Sequence, residues 1–313
     1  MYFPFFRGKQ YELITIRETA QIIADNNFTP IIEPVKSQLR GLQKSLDILC
    51  EVGANVIVIV NPTVGDFANN GEPITDLLEL EYEGRDNIYY GLMLTERDST
   101  DSAVAFLNEF DSRNFALIHN GFADGVGLSH AINECNNVNF HVFLDDKIRY
   151  RRHFREFDNR VMVQNGFERR RNRDHPDTEF FSELHLTYQE ELNMDGFGDF
   201  SIAGDGYSES GGPAYTVAIH LTYIDETNED EMFIKHFKSI RQNSPQDPAG
   251  KFGEALERLI QSLDSDENQI IESSSIAVFR DLYERGHYPG LGFVKKLSMI
   301  HHIETIANYF DED

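Results

Sequence analysis

A short apolar run, a polar break and a helical stretch recur through the first three-quarters of this 313-residue chain, and that repeat limits the fold more than any other feature. The runs occupy residues 2–6, 30–35, 55–60, 88–94, 115–118, 139–144 and 160–163, and another begins near Phe200. They are rich in Val, Ile and Phe and do not alternate cleanly with polar residues, as expected of strands buried on both faces of a parallel sheet. Between them, Leu13, Ile16, Ala20 and Ile23 recur at helical spacing. So do Leu39, Leu42, Leu46 and Leu49, followed by Gly53, a glycine placed to end a helix. Ala103, Phe106, Leu107 and Phe110 mark another helical face, behind a Ser99 or Thr100 cap. About eight strand–helix units result, which predicts an α/β fold: a TIM-barrel-like (βα)8 barrel formed by residues 1–313 as one domain. An open doubly wound sheet is the alternative. No Gly-x-Gly-x-x-Gly follows the first strand, which weakens a dinucleotide-binding reading.

The repeat breaks after Val163. Residues 164–199 are polar and read as a functional loop or an inserted subdomain. A glycine-rich loop at 204–213 leads into apolar strands at 215–223 and 231–237, which read as an antiparallel hairpin. The segment 164–237 is therefore expected to embellish the barrel near its last strand. Helices are expected over 250–310, and the acidic end at 311–313 to fray.

Charge and cysteine content narrow the function. Cys50 and Cys135 are too few for a disulfide framework and lack metal-motif spacing. No segment reaches the roughly 18 apolar residues of a membrane helix. The first residues carry no positive leader or small-residue cleavage site, so a cytoplasmic address is expected. The net charge of −25 repels nucleic acid and anionic membrane at long range, making both unexpected partners. Yet residues 147–173 hold ten Lys and Arg against three acids. A basic island on so acidic a chain calls for a local cause.

In a parallel barrel, ligands meet the C-terminal ends of the strands. The residues that follow the runs include Glu33, Asn61, Glu96, His119, Asn120, Asp145 and Asp146. Glu33, Glu96, His119 and Asp145 are candidate catalytic groups, with His119 the acid–base candidate by position. Glu96, Asp145 and Asp146 are the carboxylates expected to hold Mg²⁺ or another divalent cation, with Asn61 and Asn120 as neutral oxygen ligands. Ordinary loop chemistry is the competing account of each, because strand ends are polar in any soluble protein. Arg169, Arg170 and Arg171 suit a phosphate, since the guanidinium donates two parallel hydrogen bonds; the glycines of 204–213 can add backbone donors. A solvated Arg-rich face paired with the chain's own acids is the competing account. His220, His301 and His302 read as packing or surface residues, and no zinc motif or nucleophile elbow is present.

Three stretches carry a resemblance: Met-Tyr-Phe-Pro-Phe-Phe-Arg-Gly-Lys-Gln-Tyr-Glu-Leu at 1–13, Asp-His-Pro-Asp-Thr-Glu-Phe-Phe-Ser-Glu-Leu-His at 174–185, and the segment 198–221 around Gly-Asp-Gly-Tyr-Ser-Glu-Ser-Gly-Gly-Pro. Together they resemble an uncharacterised bacterial family, often encoded in a two-gene pair and itself similar to the phage "beta family" proteins. The resemblance implies a barrel-like fold, a bacterial or mobile-element setting and a partner protein encoded nearby. It brings no catalytic residues. Among the polar residues of these stretches, Arg7, Asp199 and Asp205 join the ligand-binding candidates, Arg7 because it follows the first strand. Two functions stand. One is a barrel that binds or converts a phosphorylated or otherwise anionic small molecule, as a metal-assisted hydrolase would. The other is a non-catalytic sensor or partner-binding protein of a phage-defence-type module. Direct nucleic-acid binding ranks below both.

Overall fold

The computed structural model describes residues 1–68, 70–133, 135–144, 147–209 and 211–311. In chain order the strands are β1 (Phe5–Phe6), β2 (Ile31–Ile32), β3 (Val56–Ile59), β4 (Ile88–Leu94), β5 (Phe115–His119), β6 (Val138–Phe143), β7 (Arg160–Gln164), β8 (Thr178–Ser182), β9 (Gly196–Asp199), β10 (Ala218–Asp225) and β11 (Glu231–Lys238). β1 to β7 and then β9 form one parallel eight-stranded sheet in sequence order. Its ends meet: the Phe3 N–H donates to the Phe197 carbonyl at 2.8 Å, and the Phe197 N–H donates to the Met1 carbonyl at 3.0 Å. The result is the expected α/β barrel.

Strand parity sorts the side chains. Phe3, Phe5, Ile57, Ile59, Ala116, Ile118, Phe140, Val142, Val161 and Val163 pack into one buried cluster, the filling of the barrel. Residues of opposite parity face the helices. The helix Arg40–Val52 buries Leu42, Leu46 and Leu49 and ends at Gly53, whose φ of 73° lies where glycine is favoured. The helix Thr100–Glu109 starts at Ser99, whose side chain accepts from the Ser102 N–H.

The eighth barrel strand lies at Gly196–Asp199, just ahead of the run expected near Phe200; residues 201–203 form a 3₁₀ turn. Glycine hides this strand in the sequence. A Cβ on Gly196 would come within 2.6 Å of the Phe3 ring, and one on Gly198 would overlap the Phe3 carbonyl oxygen. Closing the barrel against Phe3 thus removes the apolar side chains that reveal a strand.

Contacts divide the chain into two compact units. One comprises Met1–Gln164 and Thr187–Phe200, the other Asn165–Leu186 and Ser201–Asp313. Most of the region read as embellishment and the C-terminal helices thus gather around a core of their own, whereas Thr187–Phe200, within the expected embellishment, belongs to the barrel unit. There β10 and β11 form the expected antiparallel hairpin, and β8 adds to the other edge of β11. The register sets His220 opposite His236 and Ile234 opposite Glu179. β8 lies within the segment read as polar loop; of Thr-Glu-Phe-Phe-Ser only Phe181 is buried, as befits an edge strand. Val217, Ile219 and Leu221 pack with Phe252, Leu256 and Leu259 of the helix Pro248–Leu263 and with Phe279 and Leu297 of the helices Ser274–Glu284 and Leu291–Asp311. Among the described residues, no helix is long and apolar enough to cross a membrane.

Candidate functional site

Parallel strands place Arg7, Glu33, Asn61, Glu96, His119 and Asn120 at or just beyond the C-terminal ends of β1 to β5. Of these, Arg7 and Glu33 meet in an ion pair. Glu33 is 1% exposed; it accepts from Arg7 Nε at 3.0 Å and from the Thr63 N–H and hydroxyl at 2.9 and 3.0 Å. Asn61 spends both ends of its amide on the Met93 backbone, at 2.8 and 2.7 Å, continuing the β3–β4 ladder in side-chain form. Glu96 and Asn120 are exposed. Asp199, at the end of β9, accepts from the buried Tyr2 hydroxyl at 2.9 Å. Asp145 and Asp146 lie outside the described residues.

His119 has the opposite parity to Ile118, which fills the barrel, so it faces the helix layer. Its Nδ1 meets the Tyr150 hydroxyl at 2.7 Å and its Nε2 meets His141 Nδ1 at 3.1 Å; its ring stacks on Phe143. Burial pushes His119 well below the usual histidine range, and burial together with Arg160 takes His141 down to about 3. Both rings are neutral packing groups at pH 7. Glu33, Asn61 and Asp199 are thus engaged in hydrogen bonds already made. Replacing Glu33 by Ala would remove the buried carboxylate that Arg7 and Thr63 donate to. We expect a loss of about 3 kcal/mol in urea unfolding, since breaking one side of a buried pair leaves uncompensated groups, with a smaller loss for Glu33→Gln.

The second unit is different. A cavity of about 780 Å³ is lined by Arg170, Arg171, Arg173 and Lys295, by the glycines Gly211 and Gly212, and by apolar Ile202, Val217 and Val294. No acidic side chain lines it among the described residues. Thr216 also lines it, with a buried hydroxyl oxygen that has no hydrogen-bond partner among the described residues. The structure therefore brings Arg170 and Arg171 together with part of the glycine-rich loop. Arg169 packs over Gly206, and Asp205 is exposed, accepting from Asn165 at 3.4 Å.

His220 lines the same cavity and begins a partly buried chain. His220 Nδ1 lies 2.6 Å from His236 Nδ1, and His236 Nε2 lies 2.8 Å from a Glu179 carboxylate oxygen. His175 Nδ1 meets that same oxygen at 2.9 Å. The other Glu179 oxygen accepts from Arg170 at 2.9 Å, closing a loop back to the cavity wall. Burial, reinforced by His236, His175 and Lys295, pushes His220 well below its usual range; burial followed by His175 takes His236 down to about 4. Burial alone would raise the Glu179 carboxyl, but the His175 hydrogen bond and the neighbouring His236 and Arg170 hold it below the ordinary value. Neutral histidines beside a carboxylate fix the tautomers: His236 donates Nε2–H to Glu179, leaving Nδ1 to accept from His220 Nδ1–H. His220 Nε2 is then a lone pair, able to take a proton as a general base.

Sequence reasoning missed His175, Glu179 and His236, and read His220 as packing. One signal was within reach. A hairpin that pairs Asp225 with Glu231 necessarily sets His220 opposite His236. Comparison of the chain with protein-family models, with curated proteins and with solved structures finds no match. The functional reading therefore rests on the chemistry of the cavity.

Proposed function

We propose that the cavity of the second unit binds a phosphorylated or otherwise anionic small molecule. One observation carries this reading: four cationic side chains and no acid, among the described residues, line one cavity on a chain of net charge −25. Arg171 and Arg173 offer planar donor forks, Lys295 a compact charge, and Gly211 and Gly212 backbone N–H groups. The apolar stretch of wall accommodates a carbon framework next to the anionic group. The His220–His236–Glu179 chain supplies a proton acceptor at the wall, so hydrolysis of the bound ester is the chemistry the site is best equipped for. A bacterial setting and a partner encoded nearby belong to the same proposal. They rest on the family resemblance of 1–13, 174–185 and 198–221, and the acidic remainder of the chain suits a basic partner surface.

Inorganic phosphate tests the reading in the absence of a known substrate. Full-length protein should melt at higher temperature in phosphate than in chloride of equal ionic strength, with a gain of about 1.4 kcal/mol when phosphate is tenfold above its Kd. Arg171→Ala combined with Arg173→Ala should remove that gain and leave the chloride baseline within about 0.5 kcal/mol, because both side chains are exposed. A folded wild-type protein indifferent to phosphate would overturn the proposal.

A further inference from the structure

Three groups of the second unit sit close to the separations a transition-metal ion imposes. His175 Nδ1 or Nε2, a Glu179 carboxylate oxygen and a His236 ring nitrogen all lie within 4.8 Å of one another. His175 Nδ1 and His236 Nε2 are 2.9 and 2.8 Å from the same Glu179 oxygen. Ligand atoms on a tetrahedral zinc ion are roughly 3.3 Å apart, so a small outward movement admits one. Outer partners of the kind such sites use are already in place. Arg170 holds the second Glu179 oxygen, and His220 faces the far nitrogen of His236. His175 Nε2 is buried with no hydrogen-bond partner among the described residues, so hydrogen bonding among them leaves the cluster incomplete. The Phe167 ring, 5.3 Å from that of His175 and 5.2 Å from that of His220, gives the cluster an apolar flank.

We propose that His175, Glu179 and His236 bind a divalent transition-metal ion, and that this ion decides which nitrogen of His220 carries its proton at the cavity wall. Two imidazoles and one carboxylate are a zinc donor set with a position left open; Mg²⁺ and Ca²⁺ would need more oxygen ligands. A metal on His236 Nε2 displaces the proton held there to solvent. His236 then carries its proton on Nδ1, received from His220 Nδ1, and His220 Nε2 takes a proton from solvent. Each ring keeps one proton throughout, so the chain reverses direction without changing charge. An anion in the cavity meets a lone pair when the metal is absent and an N–H donor when it is bound. Zinc and anion therefore strengthen each other's binding by the same factor, about tenfold for one added donor. This coupling rests on the anion reading above; the metal site does not.

Cobalt separates the two. Full-length protein stripped with a chelator should bind one equivalent of Co²⁺ with the intense visible bands of a four-coordinate N,O site, yield it to Zn²⁺, and lose it in Glu179→Gln and His175→Ala. Weak or substoichiometric binding, or binding that survives in those variants, overturns the metal site. Should the variants fail to fold, the wild-type spectrum decides, since pale six-coordinate bands reject it. Phosphate is then titrated with and without Zn²⁺. Wild-type protein should bind phosphate about tenfold tighter with zinc, and His220→Ala should show equal affinities while keeping its zinc. Equal affinities in the wild type overturn the proton reversal even where zinc binds. No phosphate binding in either state overturns the anion reading and the reversal with it, while the cobalt result still decides the metal site.

Discussion

Moved from pH 7 to pH 4.5, the protein is expected to lose several kcal/mol of stability, and His301 is a main reason. His301 lies on the helix Leu291–Asp311 and is fully buried. Its Nε2–H donates to the Thr222 carbonyl at 2.9 Å and its Nδ1 meets the Ser273 hydroxyl at 2.7 Å, so the neutral ring is satisfied on both sides. Burial takes it down to about 4 in the folded protein, against 6.5 for an ordinary histidine. Below pH 6.5 the unfolded chain therefore takes up a proton that the folded chain refuses. The stabilisation is complete above pH 6.5 and drains away as pH falls toward 4, a loss of about 2 kcal/mol by pH 4.5. His141, depressed to about 3 in the barrel unit, acts in the same direction. Relief of charge repulsion opposes both as the chain approaches its isoelectric point near 4.7, but that force is diffuse and weakened by salt. The check is urea unfolding of wild type and His301→Gln at 0.15 M salt across this range. The variant keeps an amide donor for Thr222 and cannot titrate, so it starts less stable and its deficit should shrink by about 2 kcal/mol between pH 7 and pH 4.5. A constant deficit would show that His301 does not couple to pH.

How much of this was legible in the sequence depends on whether a signal needs side-chain contacts across the fold. The barrel was readable because its strands are buried on both faces and therefore continuously apolar, as in Val56–Ile59 and Phe115–His119. β9 and β8 were not, one because close approach to Phe3 demands glycine, the other because an edge strand keeps Thr178 and Phe180 exposed. At the strand ends, position was legible and direction was not. His119 ends β5 as expected, yet parity turns it toward Tyr150 and Phe154, and Glu33 turns out to be held by Arg7 and Thr63. The arginines at 170 and 171 stood out because ten basic residues are concentrated in 147–173 of an acidic chain. The histidine cluster has no metal-ligand spacing in the sequence, although His175 and Glu179 fall in the stretch 174–185 and His220 in 198–221. Its members come from the turn before β8, from β8 itself and from the facing strands β10 and β11, and only the sheet register unites them.

Gly198→Ala should cost at least about 3 kcal/mol, against the usual trend for strands. Replacing glycine by alanine in an extended strand normally stabilises by about 0.5–1 kcal/mol, because the unfolded chain loses more freedom than the folded one. At Gly198 the new Cβ would overlap the Phe3 carbonyl oxygen and press on Val163 at 3.1 Å. The obstacle is backbone, so no side-chain rotation relieves it. Phe3 donates to Phe197 and Phe197 donates to Met1, so moving either segment opens the seam that closes the barrel. Gly253 is the internal control. It lies in the helix Pro248–Leu263, is exposed, and has open space where its Cβ would be. Gly253→Ala should therefore stabilise by about 0.5–1 kcal/mol. Urea midpoints for the two variants should move in opposite directions, and the Phe3 and Phe197 amides should exchange faster only in Gly198→Ala. If Gly198→Ala instead matched Gly253→Ala in sign, the seam would have room for a Cβ, and the chain's start would not be what holds β9 in the sheet.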